Sequence, residues 1–146
     1  MPTRSARTAW NGGLMDGSGQ VELTDSKVGT YDVSFPKRAA DEAGGTTSPE
    51  ELIAAAHSAC FAMQLSAVIG EAGGTVESLE VSADVSLGPD QDNGGFKLTG
   101  IALTVRGEVD GLDEEGFRKA AEGAKVGCPV SKALTGVQIN LDAALV

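Results

Sequence analysis

The chain has two cysteines, Cys60 and Cys128. They form no CxxC or CxxxxC spacing, so the paired-ligand zinc motifs and the thioredoxin-type motif do not apply. Two readings are open. Each can be a small core residue, or the two can be a redox pair in which one thiolate attacks and the other resolves. Cys60 sits in the middle of an apolar stretch. Burial alone raises a thiol's pKa and makes it inert, so a reactive Cys60 needs a cation. Arg38 is the candidate. Lys37 competes, but the planar guanidinium can hold a carboxylate and still face a substrate. The alternative for Arg38 is a solvated loop charge.

Glu50 is the carboxylate free to orient Arg38, because Glu51 is explained as a capping residue. Cys128 precedes Pro129 at the start of a short helical turn, where exposed N–H groups favour a thiolate. His57 lies three residues before Cys60 and shares its helix face. It can join Cys60 and Cys128 as a metal ligand or be a hydrogen-bonded core histidine.

The elements that must position these residues are legible in outline. Ala6–Trp10, Gln20–Thr24 and Thr30–Phe35 read as strands separated by Gly, Asp and Ser clusters. Pro36 ends the third, and Lys37–Thr47 reads as a loop. Ser48-Pro49-Glu50-Glu51 is a helix start, with Ser48 as cap, Pro49 in the first turn and Glu51 as capping-box partner. The helix is expected to run to about Glu71 and stop at Gly73-Gly74.

From Leu52 to Gly70 that helix carries no formal charge. A helix apolar on nearly every side must be buried on nearly every side. The sequence therefore predicts that it lies at the centre of the fold, partly covered by a second copy of the chain. Ten residues of helix separate Glu50 from Cys60 by about 15 Å. A Glu50–Arg38 pair that serves Cys60 is thus expected to do so across a subunit boundary.

Leu79, Val81, Ala83, Val85 and Leu87 alternate with polar residues as a strand. Phe96–Val109 follows as another, its phase slipping at Thr99-Gly100 as in a bulge. Asp113 caps a second helix with Phe117, Ala120, Ala121 and Ala124 on its apolar face, stopping near Gly127. A helical turn runs from Cys128 to Leu134, and Val137, Ile139 and Leu141 alternate as a last strand. The order is βββ-α-ββ-α-β, an α+β fold in a single domain over residues 1–146, with antiparallel pairing expected.

Composition narrows the partners. Eleven Lys plus Arg against 21 Asp plus Glu give a formal charge of −10. Phosphate-rich partners want a basic patch, so neither nucleic acid nor an anionic membrane is expected. The Leu52–Gly70 segment is not read as a membrane span, because it holds His57, Ser58, Gln64 and Ser66 and is flanked by Glu50, Glu51 and Glu71. Arg4 and Arg7 are followed by no apolar run, which gives no secretory signal and a cytoplasmic expectation.

Two segments resemble the motifs of a known family. Thr47-Ser48-Pro49-Glu50-Glu51-Leu52-Ile53-Ala54-Ala55-Ala56-His57-Ser58-Ala59-Cys60-Phe61-Ala62-Met63 resembles the helix motif of the OsmC/Ohr organic hydroperoxide reductases. Cys128-Pro129-Val130-Ser131-Lys132-Ala133-Leu134 resembles the family's second-cysteine motif. His57 stands where the Ohr branch tends to carry an aromatic residue, which tilts the match toward the OsmC branch.

The resemblance implies an intertwined homodimer, its long helices central and antiparallel sheets wrapped around them. It implies Cys60 as peroxidatic cysteine, Cys128 as resolving cysteine, Glu50 as catalytic glutamate and Arg38 as catalytic arginine, with Ala39 where an aromatic residue is common. It implies a thiol-dependent peroxidase for organic hydroperoxides, re-reduced by a dithiol of the lipoyl type, with no cofactor and no metal. Phe61, Met63 and Leu65 are expected to supply apolar surroundings for an alkyl peroxide. Two other classes stay open: a non-catalytic binding protein for a hydrophobic small molecule, and a metal-dependent enzyme using His57, Cys60 and Cys128.

Overall fold

Glycine-rich turns cut the N-terminal segment into β1 (Arg7–Asn11), β2 (Ser18–Glu22) and β3 (Thr30–Val33), an antiparallel meander in the order β1-β2-β3. The computed structural model describes residues 1–146 as two compact units, Met1–Leu52 and Ile53–Val146. In the first unit the chain leaves β3 at Ser34, whose hydroxyl accepts from the Lys37 N–H and caps a short helix, α1 (Phe35–Arg38). Pro36 fits there because the first helical turn has no use for its missing N–H. The expected loop at Lys37 therefore begins as the end of a helical turn, and Arg38 is that turn's last residue. Further on, Thr47 N–H bonds Asp32 O and pairs with Val33 as an isolated parallel bridge. This ties the end of the loop to β3, just before the long helix.

That helix, α2 (Pro49–Glu71), begins at the expected proline. Ser48 Oγ accepts from the Glu51 N–H at 3.2 Å, but the Glu51 carboxylate takes the Thr47 hydroxyl at 2.6 Å. Glu51 thus braces the residue before the cap, a variation on the reciprocal box. α2 has the length and hydropathy of a membrane span, yet one stripe is core. His57, Phe61, Leu65 and Ile69 are completely buried at four-residue spacing, the spacing that lies along one side of a helix. Ala55, Ala56, Ala59, Met63, Ser66, Ala67 and Gly70 stay exposed on the rest. Within one chain the helix is therefore half covered, not covered on nearly every side.

The second unit is built on β4 (Thr75–Pro89), β5 (Phe96–Asp110) and β6 (Ile139–Leu145), in the order β4-β5-β6. Val81, Ala83 and Val85 pair across from Val105, Leu103 and Ile101, which in turn face Ala143, Leu141 and Ile139. With Phe61, Leu65 and Ile69 of α2, and Phe117, Ala120, Ala121 and Ala124 of α3 (Glu114–Gly127), these residues make one hydrophobic core. The bulge falls where the phase slip puts it: Ser86 faces Gly100 and Leu87 faces Leu98, leaving Thr99 unpaired.

One pairing departs from expectation. β6 runs parallel to β5, not antiparallel. The connection between them is α3, and a helical crossover returns the chain to the end of the sheet where the previous strand began. Asp113 caps α3 through the Gly116 N–H at 2.7 Å, as expected.

Candidate active site

Pro129 decides where Cys128 stands. The residue before a proline is pushed out of the helical region, and Cys128 has φ −62° and ψ 125°. It ends α3 and begins α4 (Pro129–Ala133), with Pro129 in the first turn. The same kink aims its side chain at α2: the Cys128 and Cys60 sulfurs lie 2.9 Å apart, although 68 residues separate them in sequence. Both are free thiols; Cys128 is buried and Cys60 partly exposed. A disulfide needs S–S near 2.05 Å, so only a small local adjustment separates this pair from closure.

The two thiols differ electrostatically. Burial pushes the Cys60 thiol up, the contact with Cys128 pushes it further, and the Val130 N–H offsets part of this. Burial also acts against the Cys128 thiolate, but hydrogen bonds from Cys60, from the N–H and hydroxyl of Ser131 and from the Val130 N–H outweigh it. The Cys128 side chain closes no standard cap hydrogen bond on α4. Its anion is favoured by that ring of donors together. A proton shared between two sulfurs belongs to the pair, and of the two thiolates the surroundings favour that of Cys128. No cation in the second unit contributes to the charge state of Cys60.

His57 stands one turn before Cys60. It is fully buried, and its Nε2 lies 2.7 Å from Ser131 Oγ. Nδ1 has no partner. Burial pushes the imidazole below its ordinary value, so it is neutral near pH 7. His57 is thus a buried histidine hydrogen-bonded to Ser131. No group of three or more His, Cys, Asp and Glu side chains is placed to hold a metal ion. Ser131 is the site residue that sequence reasoning missed. The available signal was its place three residues after Cys128, matching His57 three residues before Cys60.

In the first unit Arg38 and Glu50 meet as proposed from residue type alone. Arg38 Nε reaches both carboxylate oxygens, at 3.0 and 3.2 Å, and Nη2 reaches Oε1 at 2.7 Å. Burial acts against the Glu50 carboxylate, but the Arg38 hydrogen bonds, its own backbone N–H, the Arg38 charge and the Ser48 hydroxyl more than offset it. The result is a pKa below the usual carboxylate value. The Arg38 side chain remains 33% exposed against 10% for Glu50, so the guanidinium keeps a face open. That face borders an apolar cavity of about 320 Å³ lined by Trp10, Leu14, Val21, Phe35, Leu52 and others.

The apolar residues expected from α2 lie elsewhere. Phe61 and Leu65 are fully buried in the core of the second unit, and Met63 lies on the exposed stripe of the helix. The structure thus joins Cys60 to Cys128, His57 to Ser131 and Arg38 to Glu50.

The chain is similar to known proteins along most of its length. The family model described as OsmC-like protein matches residues 41–142. Peroxiredoxin OsmC of Escherichia coli (strain K12) is 41% identical over 139 residues, covering 95% of this chain and 94% of that protein. Organic hydroperoxide resistance protein OhrB of Bacillus subtilis is 36% identical over 120 residues, covering 82% of this chain and 85% of the relative. The crystal structure of an organic hydroperoxide resistance protein from Elizabethkingia anophelis superposes with a TM-score of 0.80 at 30% identity, covering 100% of this chain and 98% of that one. The sequence motifs, the α+β architecture and these likenesses together establish that the chain belongs to the OsmC/Ohr family.

Proposed function

We propose that the protein is a thiol-dependent peroxidase that reduces organic hydroperoxides to alcohols. The observation that carries this reading is the 2.9 Å approach of Cys60 and Cys128. In the reaction the Cys60 thiolate attacks the terminal oxygen of R–O–O–H. The S–O bond forms, the O–O bond breaks, and the alkoxide leaves to be protonated. Cys60 becomes a sulfenic acid. Cys128 thiolate then attacks the Cys60 sulfur, displacing hydroxide, and the pair ends as a disulfide. The two thiol protons leave in the alcohol and the water. A dithiol, for which the lipoyl type is the candidate, reduces the disulfide.

Arg38, held by Glu50, stabilises the Cys60 thiolate and the charge developing on the leaving oxygen. Cys60 needs that cation, since its own unit supplies none. About 15 Å of helix lies between Glu50 and Cys60 of one chain, so the Arg38–Glu50 pair serves the Cys60 of a second copy. The functional unit is then a homodimer, and the uncovered stripe of α2 is the surface that joins the copies. The apolar cavity beside Arg38 takes the alkyl group, which makes the substrate an alkyl or fatty-acid hydroperoxide in preference to hydrogen peroxide.

The test is peroxide consumption by reduced protein with dihydrolipoamide as donor. Wild type is expected to turn over cumene hydroperoxide with a kcat/KM above that for hydrogen peroxide. Cys60→Ser is expected to abolish turnover, and Cys128→Ser to accumulate the sulfenic acid. A folded protein that consumes no organic peroxide with any dithiol would point instead to a binding protein whose cysteines are structural.

A further inference from the structure

The peroxidase chemistry uses Cys60, Cys128, Arg38 and Glu50, and leaves unexplained a buried histidine and a buried serine beside the sulfurs. His57 and Cys60 stand three residues apart on α2. Cys128 and Ser131 stand three residues apart across the start of α4. The two turns face each other as a two-rung ladder, His57 to Ser131 at 2.7 Å and Cys60 to Cys128 at 2.9 Å. His57 and Cys128 are 0% exposed and Ser131 5%, so no bulk water competes for these hydrogen bonds.

The serine has one proton to give. If it donates to His57 Nε2, it cannot donate to Cys128. If it donates to the sulfur, His57 must donate to it. The neutral imidazole carries one N–H, and Nδ1 has no acceptor. Nδ1 is unpaired in either tautomer, but only a proton on Nε2 leaves the Ser131 hydrogen free for Cys128. With the proton there, the chain runs in one direction: Nε2–H to Ser131 Oγ, and Ser131 O–H to Cys128 Sγ. The Ser131 hydroxyl and N–H do face the Cys128 thiol as anion-favouring donors.

We propose that His57 and Ser131 are positioning residues for the resolving step, fixing a hydrogen-bond donor on Cys128 Sγ so that this thiol is presented to Cys60 as an oriented thiolate. Neither residue takes up or releases a proton. Ser131 keeps its hydrogen while Cys128 attacks the Cys60 sulfenic acid, the new S–S bond forms, and hydroxide leaves with the electron pair of the broken S–O bond. The step rests on the peroxidase reading, but the placement of the thiolate does not. The ladder separates two jobs: Arg38 serves the attacking sulfur, and the His57–Ser131 pair serves the resolving one.

The experiment titrates the Cys128 thiolate by its absorbance near 240 nm in a Cys60→Ser background, where no peroxide chemistry is needed. Ser131→Ala is expected to raise the midpoint by about one pH unit, the scale of one lost charge-assisted hydrogen bond. His57→Leu is expected to raise it similarly, and His57→Gln, which keeps an N–H near Nε2, to restore most of it. Once Ser131 is alanine, His57→Leu is expected to add nothing, because its effect passes through the hydroxyl. With Cys60 present, Ser131→Ala is expected to slow disulfide closure roughly tenfold after a single peroxide pulse and leave sulfenic acid formation unchanged.

A purely structural role for His57 would lower the melting temperature of both His57 variants and leave the titration of the folded protein where it was. That outcome, or equal shifts in His57→Leu and His57→Gln, or an additive double variant, overturns the proposal. Absent peroxidase turnover beside a shifted titration would instead overturn the function and leave the positioning intact.

Discussion

At the scale of single residues, the site separates two anions by the donors each can reach. Glu50 accepts three hydrogen bonds from one guanidinium. Arg38→Lys keeps the charge and loses the fork. If Arg38 holds the leaving oxygen, Arg38→Lys is expected to lower kcat/KM for cumene hydroperoxide by about 10²- to 10³-fold, with little change in the melting temperature, because the pair is partly solvent-screened. The Glu50 pKa is lowered in the fold. Its stabilising contribution is therefore full above the ordinary carboxylate value and is lost as pH falls through the folded value. His57 has the same sign by another cause. It is buried neutral, so the unfolded chain binds more protons and stability declines as pH falls below about 6.5. Thermal melts of His57→Gln between pH 7 and pH 5 are expected to slope less than those of wild type. An unchanged slope would mean that burial does not lower the His57 pKa in the fold.

The pairing of Arg38 with Glu50 was legible from residue type alone: Glu51 had a capping role, and Glu50 was left. Ser131 was not, because a serine in a short helical turn looks like any other until a histidine 74 positions earlier in the chain is folded against it.

At the scale of elements, what could be read was local and what could not was a choice of direction. The α2 start, the Asp113 cap and the slip at Thr99 rest on side chains acting on their own backbone. They fall where capping and alternation place them. The parallel entry of β6 depends on the crossover through α3, which no residue of β6 encodes. α1 is a different case: Ser34 and Pro36 signal it locally, but the alternation through Tyr31, Val33 and Phe35 hid it.

Packing of α3 onto the sheet depends on one missing side chain. A Cβ at Gly107 would lie 2.9 Å from Leu79 Cδ2 and 2.9 Å from Phe117 Cζ, both in or against the core. Phe117 is completely buried within the core. Gly107→Ala is expected to destabilise by about 1–3 kcal/mol through overpacking, read as a lower urea midpoint with an unchanged slope. Phe117→Leu in the same chain is expected to recover part of the loss. If the double variant is worse than either single one, the clash lies elsewhere.

At the scale of the whole molecule, the composition of α2 carries the argument. The helix is apolar over its length, yet the chain completely buries only the line through His57, Phe61, Leu65 and Ile69. The exposed line, Ala55, Ala59, Met63, Ala67 and Gly70, is made of small residues plus one methionine. Small side chains let a second helix approach closely, and an exposed apolar stripe of this length is unusual on a monomer. A second copy of α2 offers the same surface, as a twofold interface requires. The net charge of −10 opposes self-association through the rest of the surface but leaves α2 unaffected, since its middle carries no charge.

The purified protein is therefore expected to sediment at twice 14.8 kDa. Ala59→Glu and Ala67→Glu, each placing a carboxylate on that stripe, are expected to shift it to the monomer. If the Arg38–Glu50 pair of one copy serves the Cys60 of the other, as proposed, these variants should lose peroxidase turnover together with dimerisation. Mixing Arg38→Ala chains with Cys60→Ser chains provides the sharper measurement. In a mixed dimer one of the two sites retains both its Cys60 and its Arg38, so turnover should reappear from two inactive parents. No recovery in demonstrably mixed dimers would mean that Arg38 and Cys60 act within one chain.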